Sequence, residues 1–518
     1  MRITQGLHRS LQMNPDAVAT VHGERVRSFS ELADRVANFA GALRALGVQK
    51  GDSVAMLSLN SDRYLEYYLA CAWLGAVVNP VNFRWSVAEI NYSLNDASSV
   101  ALIVDDEFVS YVDAIREGCP AVRDIIFAGD GTVPQGLLHY EALISDATPI
   151  PDQGAGGDDL FGIFYTGGTT GKPKGVMLSH QNICSSGLAL LAEGAFAEGC
   201  VALHVAPMFH LADMMVTACV LIRGGRHVFA AAFRPDLVLS TVQANGVTDL
   251  LLVPAMLQAL VDSPAMAEND VSSVLRIMYG ASTISEAVLD RAMNRFPGVA
   301  FTQVYGMTEM SAVMTVLSPS MHSAEGRVHE KLRSGGRCAY HVEMRILNEK
   351  DEELPRNEVG EVAFRGPNMM KGYLNQEEAT REALRGGWMH TGDGGYLDED
   401  GYLFIVDRLK DMIVTGGENV YSSEVENAIS QHPAVLSCAV IGVPDDEWGE
   451  SVHAVVVLKA DHALSQEELY THCKGLIAGY KCPRSMEVVD ALPLSGAGKV
   501  LKTELRRPYW SGRARQVN

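Results

Sequence analysis

The most informative segment of the chain reads Tyr165-Thr166-Gly167-Gly168-Thr169-Thr170-Gly171-Lys172-Pro173-Lys174-Gly175. An apolar run, Leu160 to Tyr165, leads into it and is typical of a buried strand. Glycine lets backbone N–H groups approach a ligand closely, and threonine hydroxyls and lysine ammonium groups suit phosphate oxygens. The segment therefore predicts a loop, at the end of a strand, that holds a polyphosphate.

This loop is not a Walker P-loop. In that motif a glycine opens the loop and a serine or threonine follows the Gly-Lys pair, whereas this chain has Thr166 and Pro173 at those places. The segment could also be a Gly/Thr-rich surface loop without a ligand. Taken alone, it leaves both interpretations open.

Length and charge narrow the class of protein. A chain of 518 residues exceeds one ordinary hydrophobic core, so we expect at least two domains. The hydrophobic content of 47% is that of a globular protein. The 42 Lys and Arg against 63 Asp and Glu give a net charge of −21, which argues against a nucleic-acid binder or a binder of anionic membranes. A locally basic phosphate site is still compatible with this balance.

Cysteine usage and the termini favour a cytoplasmic protein. The nine cysteines include no C-x-x-C pair and no Cys/His cluster at zinc-ligand spacing, so we expect reduced thiols. Met1–Gly6 lacks the apolar core of a signal peptide, and Arg515–Asn518 is not a peroxisomal address. The apolar runs Leu69–Val78 and Met214–Ile222 are too short to cross a bilayer, so we expect no transmembrane segment.

Strand and helix patterns alternate along the first 330 residues. Ser30 is expected to cap a helix over Glu31–Leu46. Further predicted elements are strands at Ser53–Ser58, Leu250–Val253, Leu275–Tyr279 and Val299–Val304, and helices at Arg63–Trp73, after Pro254, and at Glu286–Phe296. Such alternation predicts an α/β fold with layered, largely parallel sheets.

The pattern changes towards the C-terminus. Shorter strands are predicted at Val342–Leu347, Gly360–Phe364 and Tyr402–Val406, and we expect the last hundred residues to form a compact unit of their own. In that unit Ser465 opens a capping box. The polar segment Asp407–Asp411 precedes it and is either a linker or a surface turn.

Several strand ends carry glycine beside polar residues, the place where ligands bind in open α/β sheets. Gly280-Ala281-Ser282-Thr283 would let a flat base lie against the backbone, and Tyr305-Gly306-Met307-Thr308-Glu309 offers a ring, a hydroxyl and a carboxylate. Glu309 is a candidate Mg²⁺ ligand beside phosphates, since Mg²⁺ takes one or two carboxylates plus phosphate oxygens. Taken singly, each segment is equally compatible with an ordinary turn.

Three further residues are candidates on weaker grounds. Asp393, after a Gly turn, could accept hydrogen bonds from two ribose hydroxyls, or it could form an ordinary Asx-type turn. Lys499 lies in a Gly-rich segment and taken alone is a surface lysine. His210 is either a core histidine or part of a pocket wall.

As a set, these segments resemble the adenylate-forming superfamily of acyl-CoA synthetases, adenylation domains and firefly-type luciferases. The resemblance runs from about residue 5 to residue 510 and its motifs occur in family order: Tyr165–Gly175, Pro207–His210, Gly280–Thr283, Tyr305–Glu309, Thr391–Asp393, Asp407–Asp411, Gly416–Glu426 and Gly498–Lys499. Thr415–Tyr421 and Trp448-Gly449-Glu450 look most like bacterial fatty-acyl and aryl-CoA ligases.

The resemblance implies an architecture. A large N-terminal adenylation domain, residues 1–408, would combine layered α/β sheets with a β-barrel-like part. A small mobile α+β domain, residues 409–518, would carry the catalytic lysine Lys499. Lys410 would be the hinge about which the small domain turns between the two half-reactions.

The resemblance also implies roles for particular residues. The implied ATP- and AMP-binding residues are Thr166, Gly167, Gly168, Thr169, Thr170, Gly171, Lys174, Gly280, Ala281, Ser282, Tyr305, Gly306, Thr308, Asp393 and Arg408. The implied catalytic residues are Lys499, Thr308, Glu309 and His210, with Glu309 as the Mg²⁺ ligand, and the implied CoA-binding residues are Gly416, Gly417 and Trp448. The implied acyl pocket consists of His210, Ala212, Met214, Val304, Met307 and Met314.

Three positions depart from the family pattern. Gly168 stands where serine is usual, Thr283 where proline is common, and Ser495-Gly496-Ala497 replaces a Pro/Thr-type lead into the Gly-Lys pair. None removes a charged catalytic group, so we expect activity, with weaker ATP binding as the consequence to look for. Acetylation of Lys499 would remove its charge and is expected to silence adenylation.

The expected activity is that of an AMP-forming carboxylic acid–CoA ligase with Mg²⁺, ATP and CoA. Ala212–Met215, Met278–Ser282 and Val304–Met314 contain no Lys or Arg to pair with a second substrate charge, which disfavours dicarboxylic acids. We expect a medium- or long-chain fatty acid, with an aryl acid of the cinnamate or coumarate type as the second candidate.

The motifs are also compatible with three other activities. These are an adenylation enzyme that loads a carrier protein, an oxygenase of the luciferase type, and a nucleotide-binding regulator without catalysis. The absence of a carrier domain after Lys499 favours CoA as the acceptor. Glu309, Asp393 and Lys499 argue against a regulator without catalysis, and a homodimer is compatible with the sequence.

Overall fold

The computed structural model of the protein describes residues 1–166, 173–282, 284, 286–323, 326–327, 331–408, 411–494 and 500–511. Several of the predicted site residues lie outside these ranges: Gly167, Gly168, Thr169, Thr170, Gly171, Lys410 and Lys499, together with the departures at Thr283 and Ser495–Ala497. Their roles stay predictions.

In the described residues the α-helices are α1 (Gln5–Met13), α2 (Phe29–Ala45), α3 (Asp62–Leu74), α4 (Val87–Asp96), α5 (Val112–Gly118), α6 (Tyr140–Asp146), α7 (His180–Ala192), α8 (Leu211–Arg223), α9 (Pro235–Asn245), α10 (Pro254–Val261), α11 (Glu286–Arg295), α12 (Glu377–Ala383), α13 (Ser422–Ser430), α14 (Gln466–Lys474) and α15 (Lys502–Trp510). The strands are β1 (Val18–His22), β2 (Arg25–Ser28), β3 (Ser53–Leu57), β4 (Val77–Pro80), β5 (Ala101–Val104), β6 (Asp124–Phe127), β7 (Leu138–His139), β8 (Leu160–Thr166), β9 (Lys174–Ser179), β10 (Val201–His204), β11 (Arg226–Phe229), β12 (Asp249–Leu252), β13 (Arg276–Gly280), β14 (Ala300–Tyr305), β15 (Thr315–Leu317), β16 (Arg337–Cys338), β17 (Glu343–Leu347), β18 (Gly360–Arg365), β19 (Gly372–Tyr373), β20 (Met389–Leu397), β21 (Leu403–Arg408), β22 (Ile413–Thr415), β23 (Glu418–Val420), β24 (Val435–Asp445), β25 (Gly449–Leu458) and β26 (Ser485–Val488).

The local signals explain several helix boundaries. The prediction that Ser30 caps α2 is wrong: Ser28 is the cap, because its hydroxyl accepts from the backbone N–H of Glu31 while the Glu31 carboxylate binds the Ser28 N–H. The capping box predicted at Ser465 is confirmed. Pro254 occupies the first turn of α10 as predicted, where its missing N–H costs nothing.

Two sheets dominate the N-terminal part of the chain. The first has nine strands in the order β16-β15-β14-β13-β12-β10-β11-β1-β2, and its central strands from β11 to β14 run parallel. The second has eight strands in the order β19-β9-β8-β4-β3-β5-β6-β7, with β8 and β9 antiparallel. The predicted α/β class with largely parallel sheets is confirmed.

The chain divides into two compact units. The first contains residues 1–283, 287–343 and 365–389, and the second contains residues 284–286, 344–364 and 390–518. The second unit includes most of a four-stranded sheet, β17-β18-β20-β21, and a five-stranded sheet built on the hairpin of β24 and β25. The β-barrel-like part that the resemblance implies stays a prediction. The expected boundary at residues 408 and 409 stays a prediction.

Each unit has its own buried core. In the second unit, residues such as Val425, Ile429, Val440 and Val456 form one apolar cluster under α13. In the first unit, α3 is buried along its whole length and carries Asp62 and Glu66 into a network of ion pairs. None of the described helices is long and apolar enough to cross a membrane.

Candidate active site

The predicted site segments of the first unit lie at one edge of the nine-stranded sheet. Strands β10, β12, β13 and β14 are parallel neighbours, and they end at His204, Leu252, Gly280 and Tyr305. The segments that contain His210, Ala281 and Glu309 follow directly. Loops at the carboxyl ends of parallel strands are where α/β proteins bind ligands, so the fold brings these segments to a suitable edge.

The end of β13 requires its glycine. Gly280 pairs with Val304 of the neighbouring strand, and a Cβ atom at Gly280 would lie 2.1 Å from the Val304 carbonyl oxygen. The next residue, Ala281, has a φ of +69°, in the left-handed region that L-residues rarely adopt. Strain of this kind concentrates at functional sites, which fits the expectation that a base lies against this backbone.

The loop after β14 is tightly folded. A Cβ atom at Gly306 would lie 1.9 Å from the carbonyl oxygen of Ala312, so a larger residue does not fit. Ser311 and Ala312 have φ values of +46° and +65°. Thr308 and Glu309 therefore lie on a short 3₁₀ turn inside a strained loop, held in a fixed position relative to the sheet.

Asn368 holds this loop in place. Its side-chain amide donates to the carbonyl oxygens of Met310 and Val313, each at 2.7 Å, and its backbone oxygen accepts from Ser311 Oγ at 2.9 Å. The backbone N–H of Met370 donates to the Glu309 carbonyl oxygen at 2.8 Å. These contacts show that the segment around Asn368 supports the loop that carries Thr308 and Glu309.

Glu309 and Lys174 both contact the side chain of Tyr373. The Tyr373 hydroxyl donates to Glu309 Oε1 at 2.8 Å, and the Lys174 ammonium lies 4.7 Å from the centre of the Tyr373 ring. Glu309 is buried, at 7% exposure. Burial, followed by the charge of Glu309 and the hydrogen bond to it, raises the pKa of Tyr373 well above its ordinary value, so the phenol stays a donor. The structure thus brings a cation of the predicted phosphate loop and the predicted metal ligand into contact with the same tyrosine.

The strands that flank the phosphate loop form a hairpin. Thr166 at the end of β8 is paired with Lys174 at the start of β9, and the Thr166 hydroxyl donates to the Lys174 carbonyl oxygen at 3.4 Å. Tyr165 donates to Asp96 Oδ2 at 2.8 Å. Thr166 and Lys174 are therefore positioned by a sheet; the strand that leads into the loop was predicted from the sequence, and the strand that begins at Lys174 was not.

His210 is the residue before α8, and its loop is positioned from another helix. The side chain of Asn60 accepts from the Met208 N–H at 2.8 Å and donates to the Ala206 carbonyl oxygen at 2.8 Å. The Tyr68 hydroxyl donates to the Met208 carbonyl oxygen at 2.6 Å. His210 itself is half-buried, with its ring 4.1 Å from that of Phe209, as a residue in a pocket wall would be.

The predicted acyl-pocket residues are distributed over α8, β14 and the loop after it. Met214 and Met314 are fully buried at 0% exposure, as ordinary core residues would also be. His210, Ala212, Val304 and Met307 are half-buried. Their placement near the same sheet edge is compatible with a pocket, and their role stays a prediction.

In the second unit, Asp393 and Arg408 are brought together. They are paired across β20 and β21, and Arg408 Nε lies 3.0 Å from Asp393 Oδ1. Behind them, Thr391 donates to the Val362 carbonyl oxygen and Glu361 accepts from the Gly392 N–H. The two predicted ribose-binding residues thus form an ion pair across β20 and β21, and hydrogen bonds from Thr391 and Gly392 hold β20 in place.

Asp407 is a structural residue in addition to being part of a family motif. Its carboxylate accepts from the Ser422 N–H at 2.6 Å, at the start of α13, and from the Arg408 N–H at 2.8 Å. Burial raises its pKa, partly offset by the nearby charge of Lys502. Within the segment Asp407–Asp411, Asp407 and Arg408 belong to strand β21.

Gly416 and Trp448, both predicted to bind CoA, are in contact. A Cβ atom at Gly416 would lie 2.6 Å from Trp448 Cε3, and the Gly416 N–H donates to the Trp448 carbonyl oxygen at 2.9 Å. Trp448 is 38% exposed, and the Arg484 guanidinium lies 4.8 Å from the centre of its ring. Gly417 is exposed, with a φ of +83°. The result is an exposed ring with a cation against it.

Sequence reasoning missed Asn60, Asn368, Tyr373 and Arg484. The Gly-Pro before Asn368 and the Gly before Tyr373 mark turns, but no local signal says which strand or loop the side chains reach. Their partners lie far away in sequence, at separations of 64 residues for Tyr373 and 55 and 58 residues for Asn368. Tertiary structure alone identifies them.

The residues present fit a Mg²⁺ ion that is held mainly by phosphate. Among the described residues no group of three or more His, Cys, Asp or Glu side chains is arranged to bind a metal. Glu309 offers one carboxylate, of which Oε1 is taken by Tyr373. One protein carboxylate with phosphate oxygens is a usual ligand set for Mg²⁺.

Comparison with known proteins identifies the family. The model of the AMP-binding enzyme family matches residues 7–374, and that of its C-terminal domain matches residues 424–499. The chain belongs to the AMP-binding enzyme family. This match, together with the CoA ligases among its relatives, confirms the predicted membership of the adenylate-forming superfamily as an AMP-forming acyl-CoA synthetase.

Relatives of this AMP-binding enzyme match it over nearly its full length. A feruloyl-CoA synthase from Amycolatopsis sp is 41% identical over 97% of this chain and 98% of the relative. A medium/long-chain-fatty-acid–CoA ligase from Mycobacterium tuberculosis is 36% identical over 94% and 86%. The structure of o-succinylbenzoate CoA synthetase from Bacillus subtilis with its acyl-adenylate intermediate superposes with a TM-score of 0.85, at 30% identity and 99% coverage of both chains.

Proposed function

We propose that the enzyme joins an apolar monocarboxylic acid to CoA in two half-reactions. The acid first displaces pyrophosphate from ATP and forms an acyl-adenylate, and the CoA thiol then displaces AMP and forms the thioester. One observation carries the proposal: Lys174 and Glu309 both contact Tyr373, at the carboxyl edge of the sheet. The cation that we propose binds phosphate and the carboxylate that we propose binds Mg²⁺ thus contact the same side chain.

The chemistry accounts for these residue types. A carboxylate is a poor electrophile because its leaving group would be oxide, and transfer of AMP supplies a better leaving group. Two anions must approach each other in the first step, so the site needs positive charge where charge develops. Removing one preorganised group of this kind costs about 10²–10³-fold in rate. Mg²⁺, when bound, would supply part of that positive charge.

In the first unit we assign the following roles. The Lys174 ammonium and the Thr166 hydroxyl bind the β- and γ-phosphates, together with the loop 167–172. The Gly280–Ala281 backbone and the Tyr305 ring hold adenine, Thr308 binds the α-phosphate, and Glu309 holds Mg²⁺. His210 borders the acyl group. The support is that these residues all follow parallel strands or flank the phosphate loop.

In the second unit Asp393 and Arg408 are proposed to hold the ribose. The ion pair with Arg408 orients the Asp393 carboxylate, so that it can accept from two hydroxyl groups. Gly416, Gly417 and Trp448 are proposed to contact CoA, with Arg484 as a further cation for its phosphates. Lys499 is proposed to bridge the acyl carboxylate and the α-phosphate, and Lys410 to be the hinge residue.

Two classes of acid are candidates. An aryl acid of the hydroxycinnamate type is favoured by the feruloyl-CoA synthase at 41% identity. A medium- or long-chain fatty acid, the class expected from the sequence, is supported by the fatty-acid–CoA ligase at 36%. Both fit a pocket wall with buried methionines and no cation in the three acyl-pocket segments. All nine cysteines are free, which fits the reducing environment of the cytoplasm that we propose as the location.

A competition assay tests the proposal. The purified protein is incubated with Mg-ATP, CoA and an equimolar mixture of ferulate, octanoate, palmitate and malonate, and the products are identified by mass spectrometry. One dominant acyl-CoA with an equal amount of AMP is the expected result, and its identity decides between the aryl and the fatty acid. Acyl-adenylate without acyl-CoA would point to a carrier-protein acceptor, and a lack of any product would contradict the ligase assignment for these acid classes.

A lysine variant separates the half-reactions. We expect Lys499→Ala to abolish adenylation, measured by pyrophosphate exchange, while thiolation of a supplied acyl-adenylate continues. Lys459→Ala is the matched control, because Lys459 is an exposed lysine of the second unit whose ammonium donates to the carbonyl oxygen of Pro433, a residue without a predicted role in the site. Equal loss of both half-reactions in the Lys499 variant would count against the proposed division of labour.

A further inference from the structure

Tyr373 lies on a short strand between two parts of the candidate site. This strand, β19, pairs antiparallel with β9, with Tyr373 opposite Val176 and Gly372 opposite Met177. The next residue, Leu374, donates its backbone N–H to the Gly175 carbonyl oxygen at 2.8 Å. Because β9 begins at Lys174, the backbone of Tyr373 is fastened to the strand that leaves the phosphate loop.

The side chain of Tyr373 contacts the other part of the candidate site, which is the loop after β14 that carries Glu309. Its hydroxyl donates to Glu309 Oε1 at 2.8 Å, and among the described residues this is the only side-chain donor to that carboxylate. The Lys174 ammonium lies over its ring, 4.7 Å from the centre. A ring face attracts a cation and a phenol O–H binds a carboxylate, so one side chain contacts both charged groups in the manner each prefers.

Contacts with helix α12 fix the position of Tyr373. Its backbone N–H donates to Thr380 Oγ1 at 2.8 Å, at the middle of α12. A Cβ atom at Gly372 would lie 2.8 Å from Thr380 Cγ2, so the strand lies directly against the helix. The Glu309 carbonyl oxygen is held in turn by the Met370 N–H at 2.8 Å. Both ends of the hydrogen bond between Tyr373 and Glu309 are therefore anchored by the same segment of chain.

We propose that Tyr373 is a positioning residue of the ligase: its hydroxyl orients the Glu309 carboxylate for Mg²⁺, and its ring holds the Lys174 ammonium beside it for the phosphates. The proposal rests on the function proposed above for Glu309 and Lys174, and it adds the residue that couples them. Tyr373 itself touches neither substrate nor metal in this role.

The physical argument concerns the freedom of a carboxylate. A glutamate rotates about its last bonds, and a donor fixed on one oxygen removes that freedom and leaves the other oxygen for a metal. Partners of this kind typically change metal affinity by about 10–100-fold when they are removed.

Tyr373→Phe tests the hydroxyl, because it removes one oxygen atom and keeps the ring. ATP binding is measured by calorimetry over a series of Mg²⁺ concentrations, without acid or CoA, so that no turnover occurs. We expect the Mg²⁺ concentration for half-maximal ATP binding to rise by about tenfold or more. Bound Mn²⁺, detected by its electron paramagnetic resonance signal, is expected to fall correspondingly.

Tyr140→Phe is the matched control. Tyr140 is also a buried phenol of the first unit that donates to a buried glutamate, Glu66, at 2.9 Å. Its loss is expected to lower the melting temperature as much as the loss of the Tyr373 hydroxyl does, while the Mg²⁺ dependence of ATP binding stays that of the wild type. If the Mg²⁺ concentration for half-maximal ATP binding rose equally in both variants, the cause would be a general loss of stability, and the proposal would be overturned.

Two more variants distinguish a failure of the positioning role of Tyr373 from a failure of the role proposed for Glu309. Glu309→Gln is expected to shift the Mg²⁺ dependence further than Tyr373→Phe does. If Glu309→Gln shifts it and Tyr373→Phe does not, the positioning role is wrong and the proposed role of Glu309 stands. If neither shifts it, the proposed role of Glu309 fails and the inference fails with it. Tyr373→Leu removes the ring as well, and we expect weaker ATP binding than in Tyr373→Phe even at saturating Mg²⁺; equal affinity would refute the part that concerns Lys174.

Discussion

Replacing Asn368 with alanine is expected to weaken both the first unit and the adenylation reaction. Asn368 is fully buried, and its amide donates to the carbonyl oxygens of Met310 and Val313, each at 2.7 Å. Alanine offers neither hydrogen bond. The two carbonyl groups lie in a loop with residues of positive φ at Ser311 and Ala312, which other parts of the structure must hold in place.

The size of the effect follows from these contacts. The Val313 carbonyl oxygen would be left without a partner among the described residues, which costs about 1–3 kcal/mol. The Met310 carbonyl oxygen keeps a hydrogen bond from the Val313 N–H at 3.3 Å, so loss of the Asn368 bond there costs only about 0.5–1.5 kcal/mol. Asn368 Oδ1 is itself buried and has no hydrogen-bond partner among the described residues, so its removal returns part of that cost. We expect a net loss of about 1–4 kcal/mol in the free energy of unfolding. At about 2 °C for each kcal/mol, the value for larger domains, the melting temperature should fall by roughly 2–8 °C.

Activity should fall more than stability alone explains. Without Asn368 the strained loop can relax, and Thr308 and Glu309 would move with it. A displacement of about 1 Å at a reacting group costs about 10²-fold in rate. We therefore expect pyrophosphate exchange to fall by about 10²-fold at a temperature where the variant is fully folded.

The assay compares melting by calorimetry with pyrophosphate exchange in the same preparation. Asn38→Ala is the control, because Asn38 is an asparagine at the surface whose amide donates to the Asp34 carbonyl oxygen at 2.9 Å, and its loss should change both quantities little. An Asn368 variant that melts with the wild type would refute the energetic reasoning. A variant that melts lower and exchanges pyrophosphate at the wild-type rate would refute the link to the loop.

Two other predictions concern pH and the second unit. Burial disfavours the ionised Asp62, but hydrogen bonds from His22 and Arg25 outweigh it and hold the pKa of Asp62 well below its ordinary value. A lowered carboxyl pKa adds stability above the unfolded pKa of about 4 and loses it as pH falls further, so the melting temperature should drop below about pH 4, and less so in Asp62→Asn than in the wild type. Gly416→Ala would place a methyl group 2.6 Å from the Trp448 ring at a φ of +61°, so we expect the apparent KM for CoA to rise while pyrophosphate exchange continues; an unchanged KM would separate Gly416 from CoA binding.

Much of the architecture could be predicted from local patterns. Alternating apolar runs and capping signals indicated the α/β class, and most predicted elements lie within a few residues of those observed, as with Glu286–Phe296 against Glu286–Arg295. The cap of α2 was predicted wrongly because Ser28 and Ser30 both lie at the start of the helix and both suit the N-cap. A local signal decided between them: Ser28 and Glu31 have the spacing of a capping box, with the reciprocal bond of Glu31 to the Ser28 N–H, and the prediction overlooked it.

The sequence by itself determined the family and the reaction class, through eight motifs in family order, and it predicted which charged residues bind which part of the ligands. Only the tertiary structure showed that Lys174 and Glu309 meet on Tyr373, and that Asn368 supports the loop between β14 and β15. The physical reason is that a hydrogen bond between residues 64 positions apart leaves no periodic trace in the chain. Its partners are chosen by which strands lie side by side, and strand order is a property of the folded sheet.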